Sequence, residues 1–211
     1  MDYKDLRKEY LKHRLDPSSL DANPLVQFKL WFDEALQAKV DEPNAMVCAS
    51  VSAEGKPSSR YVLLKELKED QFIFFTNYHS RKGIELFETK FCSLVFYWRE
   101  LERQIRIEGI AEKCSAAYSD EYFNSRPHGS KLSSIVSPQS SKIDSKEYLE
   151  SELQRISGMD ASEIKRPEHW GGIGIQASYI EFWQGRQDRF HDRVCYTKTE
   201  SGAWEISLLA P

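Results

Sequence analysis

Apolar positions along the chain change their period more than once. Between Leu25 and Leu36 they recur at helical spacing (Leu25, Phe28, Trp31, Phe32, Ala35, Leu36), just after Asn23-Pro24, a capping residue followed by proline at the first helical position. This predicts a helix with one buried face. The segment before it, Tyr3 to His13, has only Leu6, Tyr10 and Leu11 as large apolar anchors and ends at Asp16-Pro17. It reads as a polar helix or arm that either docks or stays loose. From Ala45 the period becomes that of strands: Ala45 to Val51, a turn at Glu54-Gly55-Lys56, then Ser59 to Leu67, together a hairpin. Gln71 to Thr76 and Phe91 to Trp98 are further strands, separated by a short helix from Ser80 to about Glu88. Gln104 to Lys113 alternates, with Ile105, Ile107 and Ala111 on one side and Gln104, Arg106 and Glu108 on the other. Helices follow at Ser115 to Asn124 and Ser145 to Ile156, with a polar stretch between them. Three strands close the chain, Gly174 to Trp183, Arg189 to Thr197 and Trp204 to Leu209, and Trp170-Gly171-Gly172 reads as a tight turn into the first of them.

Seven or eight strands joined mostly by short turns, with helices at the ends and middle, predict an α+β chain. It is mainly β with added helices, and its antiparallel sheet is barrel-like. The 211 residues fit one domain, 1–211, with residues 1–20 as the N-terminal arm. Hydrophobic residues make up 40% and aromatics 12%, enough to support a core and exclude disorder as the main state. No apolar run approaches the roughly 18–20 residues of a membrane helix, and mean hydropathy is -0.59. The charged start Met1-Asp2-Tyr3-Lys4-Asp5 points to the cytoplasm. With 29 Lys and Arg against 33 Asp and Glu, the net charge of -4 argues against a nucleic-acid partner. Cys48, Cys92, Cys114 and Cys195 form no CxxC pair and lie at no metal-ligand spacing from histidine, so reduced cysteines and no metal are expected.

Charge is nevertheless concentrated locally. Tyr122 to Lys142 contains no Asp or Glu but carries Arg126, Lys131, Lys142 and many serines. These are groups that hold a phosphate, although composition alone fits a solvated loop better. In Arg189 to Cys195, strand alternation would put Arg189, His191 and Arg193 on one face. Like charges about 7 Å apart repel by about 2 kcal/mol at an effective dielectric near 20. Either an anion faces them or neighbouring acids such as Glu181 and Asp188 neutralise them. Arg60 and Lys65 bracket a strand, on opposite faces if it is ideal, and Ser80-Arg81-Lys82 places two cations at a helix N-terminus, where cations are unfavourable unless an anion binds.

In their order and spacing these clusters resemble the pyridoxine/pyridoxamine 5'-phosphate oxidase family. The matching pieces are RYVLLK (60–65), FFTNYHSRKGIEL (74–86), LVFYWRELERQIRIEG (94–109), YFNSRPHGSKL (122–132), SPQSS (137–141), EFWQGRQDRFHDR (181–193) and LAP (209–211), with a weaker match at RKEY (7–10). The family usually has Arg before the terminal Leu-Ala-Pro, where this chain has Leu208, and it varies around Gly185 to Asp188. Arg186 there could add to a phosphate field or pair with Asp188.

The resemblance implies a split β-barrel of the FMN-binding type, a homodimer with FMN at the subunit interface. It implies oxidation of pyridoxine 5'-phosphate or pyridoxamine 5'-phosphate to pyridoxal 5'-phosphate, hydride passing from C4' to flavin N5 and the electrons then to O2, giving H2O2. By motif, Arg60, Tyr61, Val62, Leu63, Leu64, Lys65, Phe75, Thr76, Arg81, Lys82, Gln104, Gln139, Ser140, Trp183 and Arg193 would line the FMN site. Lys65, Tyr122, Arg126 and Ser130 would hold the substrate phosphate. Arg189, Phe190 and His191 would meet the substrate, with Arg189 and His191 catalytic, and Arg7, Lys8, Glu9 and Tyr10 would close over it. Without the resemblance, Gln104 is a polar residue on the wet face of its strand. Two other readings stand: a split barrel that binds flavin or a B6 phosphate without turnover, and a flavin reductase using a nicotinamide cofactor, for which no dinucleotide fingerprint is present.

Overall fold

The computed structural model describes residues 9–10, 14–160 and 163–211. Along the chain lie α1 (Pro24–Gln37), β1 (Ala45–Val51), β2 (Pro57–Leu63), β3 (Glu66–Lys68), β4 (Gln71–Asn77), α2 (Arg81–Thr89), β5 (Phe91–Trp98), β6 (Arg103–Lys113), α3 (Ala116–Ser125), α4 (His128–Val136), α5 (Lys146–Ile156), β7 (Trp170–Gln184), β8 (Asp192–Lys198) and β9 (Trp204–Leu208). All strands form one antiparallel sheet in the order β2-β1-β5-β6-β7-β4-β3, with β8 and β9 added beside β7.

The closure of this sheet follows from its connectivity. Its two end strands, β2 and β3, are consecutive in the chain and separated only by Leu64 and Lys65. Leu64 still donates its N–H to Asn44 O beside β1 (2.8 Å), whereas Lys65 donates to Ile73 O on β4 (2.8 Å). Neighbouring residues thus pair with opposite ends of the sheet, which must curl until those ends meet. A split barrel is the result. Strand β7 supplies the branch: β6 runs along one side, while the other side pairs with β4 through Trp170–Gln176 and with β8 through Tyr179–Gln184.

The interior row Phe96, Ile105, Phe182 and Val194 is fully buried across β5 to β8. One residue further along, Tyr97, Gln104, Trp183 and Arg193 form a cross-strand row on the opposite face. Helix α1, capped by the Asn23 side chain accepting from Leu25 N–H, packs onto the inner side of the sheet. Phe28 meets Phe72 edge-on at 4.9 Å and Trp31 meets Phe182 at 5.0 Å, geometry that adds to the burial. Helices α3, α4 and α5 enclose a second small core of Phe123, Leu132, Ile156, Ile164 and Trp170, against which Phe75 and Tyr122 pack.

Four expectations change. The single strand expected over Ser59 to Leu67 is two strands, because the partner switch at Leu64 and Lys65 interrupts it. The polar stretch between helices contains α4, whose buried residues are Leu132 and Ser134. Trp170-Gly171-Gly172 is the first part of β7, where the absence of side chains at the two glycines leaves room for Tyr78, Ser119 and Cys114. The last-but-one strand begins at Asp192, so Arg189 and His191 stand outside it and the alternation argument does not apply to them. Arg189 instead ends a short 3-10 turn with a left-handed backbone (φ 61).

A bulge between Glu108 and Gly109 bends the β6–β7 pair. A Cβ on Gly109 would sit 2.2 Å from the Gln176 carbonyl oxygen. Gly109→Ala is expected to lower stability by about 2 kcal/mol or more. Gly129→Ala, where a Cβ meets nothing within 4 Å, should be neutral or stabilising by up to about 1 kcal/mol. Thermal unfolding of the two variants beside the parent chain checks both.

Candidate active site

Where the sheet ends meet, a groove of about 390 Å³ opens between β2 and β4 on one side and α3 and α4 on the other. The partner switch brings Tyr61, Val62, Leu63 and Lys65 to its rim, and β4 contributes Phe75 and Thr76. Helices α3 and α4 and the segments that follow add Tyr122, Arg126, Pro127, Ser130, Gln139 and Trp170. Its wall is a stack of flat rings: Tyr122 lies on Phe75 at 3.7 Å and 17°, and Phe75 on Trp170 at 5.6 Å and 20°. No described carboxylate lines it.

Three cations do. Lys82 is 7% exposed, and its Nζ donates to Thr76 Oγ1 (3.0 Å), Gln139 Oε1 (3.2 Å) and Ser80 Oγ (3.3 Å), all neutral acceptors. Burial, aided by the Arg60 charge, pushes its ammonium down from the ordinary lysine value. Arg126 lies over the Trp170 ring at 4.5 Å and donates to Ser134 Oγ; burial lowers its pKa as well, though guanidinium stays charged. Lys65 stands on the rim, with no carboxylate bonded to it among the described residues. Buried positive charge is expensive unless paired. A groove holding Lys82 and Arg126 with only hydroxyl, amide and ring partners is therefore built for an anion, and its hydroxyls (Thr76, Ser130, Tyr122) are complementary to phosphate oxygens.

The remaining expected cofactor residues divide by position. Arg60 turns away from the groove side of β2 and donates to Cys48 O (3.1 Å), Ser50 Oγ (2.6 Å) and Ser58 Oγ, with Glu85 at 3.6 Å. Arg81 pairs with the same Glu85 one turn along α2 (2.8 Å), which accounts for a cation at this helix start. Burial alone would raise the Glu85 pKa. Hydrogen bonds from Ser50, Ser58 and Arg81 outweigh it and hold the carboxyl at about 2. Leu64 is buried in the barrel core. Ser140, beside Gln139, has a left-handed backbone (φ 73) and does not line the groove.

Gln104, Trp183, Arg189, His191 and Arg193 are absent from the groove lining and gather in a second cluster at the other end of the sheet. His191 lies 4.6 Å from the Trp183 ring, and Tyr10 meets both, edge-on to Trp183 at 5.7 Å. Burial first, then the Arg189 charge, lowers the His191 pKa against an opposing effect of Asp192. Its Nδ1 accepts the Arg186 backbone N–H (3.1 Å), so the neutral ring carries its proton on Nε2. Arg193 is committed to Glu181 (2.7 Å) and the Ala210 carbonyl (2.8 Å), as the neutralising alternative anticipated for Glu181. Arg186 pairs with Asp192 (2.9 Å), not with Asp188. Phe190 is 74% exposed and Glu9 is exposed; Arg7 and Lys8 lie outside the described residues.

Sequence reading missed Trp170 and Pro127 as groove residues, and Glu85 and Asp192 as the acids that take up Arg60, Arg81 and Arg186. The aromatic directly before Gly171-Gly172 was the available signal for the first; for the acids it was the one-turn spacing of Arg81 and Glu85 and the short separation of Arg186 from Asp192, whereas nothing local links Glu85 to Arg60.

Residues 32–160 match the family described as pyridoxamine 5'-phosphate oxidase, and residues 170–211 match a pyridoxine 5'-phosphate oxidase C-terminal dimerisation region. A pyridoxine/pyridoxamine 5'-phosphate oxidase of Nostoc punctiforme is 51% identical over 98% of this chain and 97% of its own. One from Cupriavidus metallidurans is 46% identical over 98% of both. Among solved structures, PhzG from Burkholderia lata, in complex with tetrahydrophenazine-1-carboxylic acid, superposes with TM-score 0.88 at 30% identity, covering 94% of this chain and 98% of that one. A pyridoxamine 5'-phosphate oxidase-related, FMN binding protein of Nostoc punctiforme shares the fold, with TM-score 0.72 at 15% identity over 94% and 100% of the two chains. Among the described residues no helix is long and apolar enough to cross a membrane.

Glu85 ionises far more readily in the fold than its ordinary value of 4.5 allows, so its contribution is fully present above about pH 4.5 and is lost as pH falls towards 2. That contribution is on the order of 3 kcal/mol. Glu85→Gln should unfold at markedly lower temperature at pH 7, and the gap to the parent chain should narrow between pH 4.5 and pH 2. Melting curves across that range test it.

Proposed function

Because this chain belongs to the pyridoxamine 5'-phosphate oxidase family, we propose that it is an FMN-dependent oxidase converting pyridoxine 5'-phosphate or pyridoxamine 5'-phosphate to pyridoxal 5'-phosphate. The observation that carries the reading is the groove with Lys65, Lys82 and Arg126 and no described carboxylate. Cofactor and substrate each bring a phosphate dianion, and the cations stand at two places. Lys82, with Thr76 and Gln139, would hold the FMN phosphate, with Arg60 and Arg81 adding to the field behind it. Lys65, Tyr122, Arg126 and Ser130 would hold that of the substrate. When bound, FMN takes up the two electrons removed from the substrate C4' and delivers them to dioxygen, which leaves as hydrogen peroxide.

The protein's own part is orientation and charge. Ring-on-ring packing of Phe75, Tyr122 and Trp170 gives the substrate end a rigid wall. Arg189 would stabilise charge developing on the pyridine ring, and His191, donating from Nε2, would hold its phenolate oxygen. These residues come to the groove from a second copy of the chain. Three features support that: Trp183, Arg189, His191 and Arg193 of the second cluster lie within the segment matching a dimerisation region, the groove lacks these groups, and the sheet carries exposed Tyr61, Phe91 and Tyr97. Phe75 and Trp170 pack against the helical core while belonging to the sheet, which supports treating residues 1–211 as one domain.

The likeness to PhzG favours a second reading, oxidation of a reduced phenazine-type ring. The ligand in that structure carries a carboxylate and no phosphate. The paired Lys65 and Arg126 with Tyr122 and Ser130 suit a dianion better, and on that ground the B6 phosphates are preferred.

Purified protein should be yellow and should release peroxide with pyridoxine 5'-phosphate or pyridoxamine 5'-phosphate, but far more slowly with unphosphorylated pyridoxine. Equal use of pyridoxine, or no turnover of either phosphate, would sink the proposal. Arg126→Ala should raise KM roughly 10- to 100-fold, the effect of a lost charge-assisted hydrogen bond, with FMN still bound. Lys82→Met should instead weaken FMN binding by a similar factor, read by flavin fluorescence on titration.

A further inference from the structure

The loop from Gly185 to His191 is held by a device that lies outside the groove. Asp188 and Arg189 are consecutive residues with left-handed backbones (φ 54 and 61), a conformation that costs roughly 1 kcal/mol or more at each non-glycine position. Something must hold them there. Arg186 Nη1 donates to both oxygens of Asp192 (2.9 and 3.0 Å), joining the two ends of the loop, and the Arg186 backbone N–H donates to His191 Nδ1 (3.1 Å). The second Asp192 oxygen also accepts Leu15 N–H (3.0 Å). Tyr10 in turn covers the loop so closely that a Cβ on Gly185 would lie 2.7 Å from its ring.

We propose that Arg186 and Asp192 are a positioning pair for the oxidation: their ion pair sets the loop so that His191 presents Nε2–H and Arg189 is held beside it, and the same carboxylate ties Leu15 to that loop. Neither residue touches the groove. Both side chains are about a quarter exposed, 26% and 23%. An ion pair of that exposure contributes little to global stability, so its value lies in where it puts the loop. The inference rests on the oxidase reading above, but part of its test does not depend on turnover.

Arg186→Met, Asp192→Asn and the double variant are compared as FMN-loaded proteins. With pyridoxine 5'-phosphate, each single variant should lower kcat about tenfold while the melting temperature and FMN affinity stay at parent values. The double variant should be no worse than the poorer single one, since both changes break one link. Independently, nitrogen-15 NMR of the histidine rings without substrate reads the tautomer. The chain has five histidines, and His191 is assigned by the signal lost in His191→Gln. The parent should show the Nε2–H form and both single variants a mixture. An Nδ1–H form in the parent, unchanged kcat in the variants, additive losses, an unchanged tautomer, or losses that merely follow melting temperature or FMN content would each overturn the proposal. If the tautomer behaves as stated but neither B6 phosphate is oxidised, the positioning role in this reaction falls with the oxidase reading, and only the structural link from the pair to His191 stands.

Discussion

Two residues, Leu64 and Lys65, carry the constraint on which the rest of the architecture depends. One bonds backward to the β1 side of the sheet and the next bonds forward to β4, so the first and last strands of the ordered sheet are forced together. Curling the sheet creates the interior that α1 fills with Phe28 and Trp31. It also creates, on the outside of the seam, the angle between β2 and β4 in which the groove lies. The end of β2, with Tyr61, Val62 and Leu63, and Lys65 just beyond it reach the groove.

The second organising feature is where the acids are. Glu85 takes Arg60 and Arg81, Glu181 takes Arg106 and Arg193, and Asp192 takes Arg186. Each of these carboxylates is a partner outside the groove. What remains facing the groove is Lys65, Lys82 and Arg126, with hydroxyls, an amide and aromatic rings around them. The groove therefore stays positive because these acids are engaged elsewhere: Glu85 beside it with Arg60 and Arg81, and Glu181 and Asp192 at the other cluster. A chain with net charge -4 can in this way still hold a locally positive groove.

Two incomplete half-sites in one chain are the structural argument for a second copy. The groove offers cations, hydroxyls and a flat wall but no Gln104, Trp183, Arg189 or His191. The cluster around His191 offers proton-bearing and cationic groups. Each supplies what the other lacks, and β5 carries exposed Phe91 and Tyr97 on one face of the sheet.

By itself the sequence determined the α+β class, the helical face of α1, most strand positions and the acid-free stretch around Arg126. These are written in local periodicity and composition, which a strand or helix expresses whatever surrounds it. It did not show α4, whose apolar content is too small to signal a helix, or the break at Leu64, which exists because two distant strands compete for adjacent N–H groups. Nor did it show which cations are already neutralised. Arg81 and Glu85, one helical turn apart, form a pair that local spacing already allows. Arg60 and Arg193 look the same as Lys82 and Arg126 along the chain, and only the fold, by bringing Glu85 and Glu181 from other elements beside them, separates the paired from the unpaired. Charge compensation between elements is a property of distances in space, and tertiary structure alone sets those.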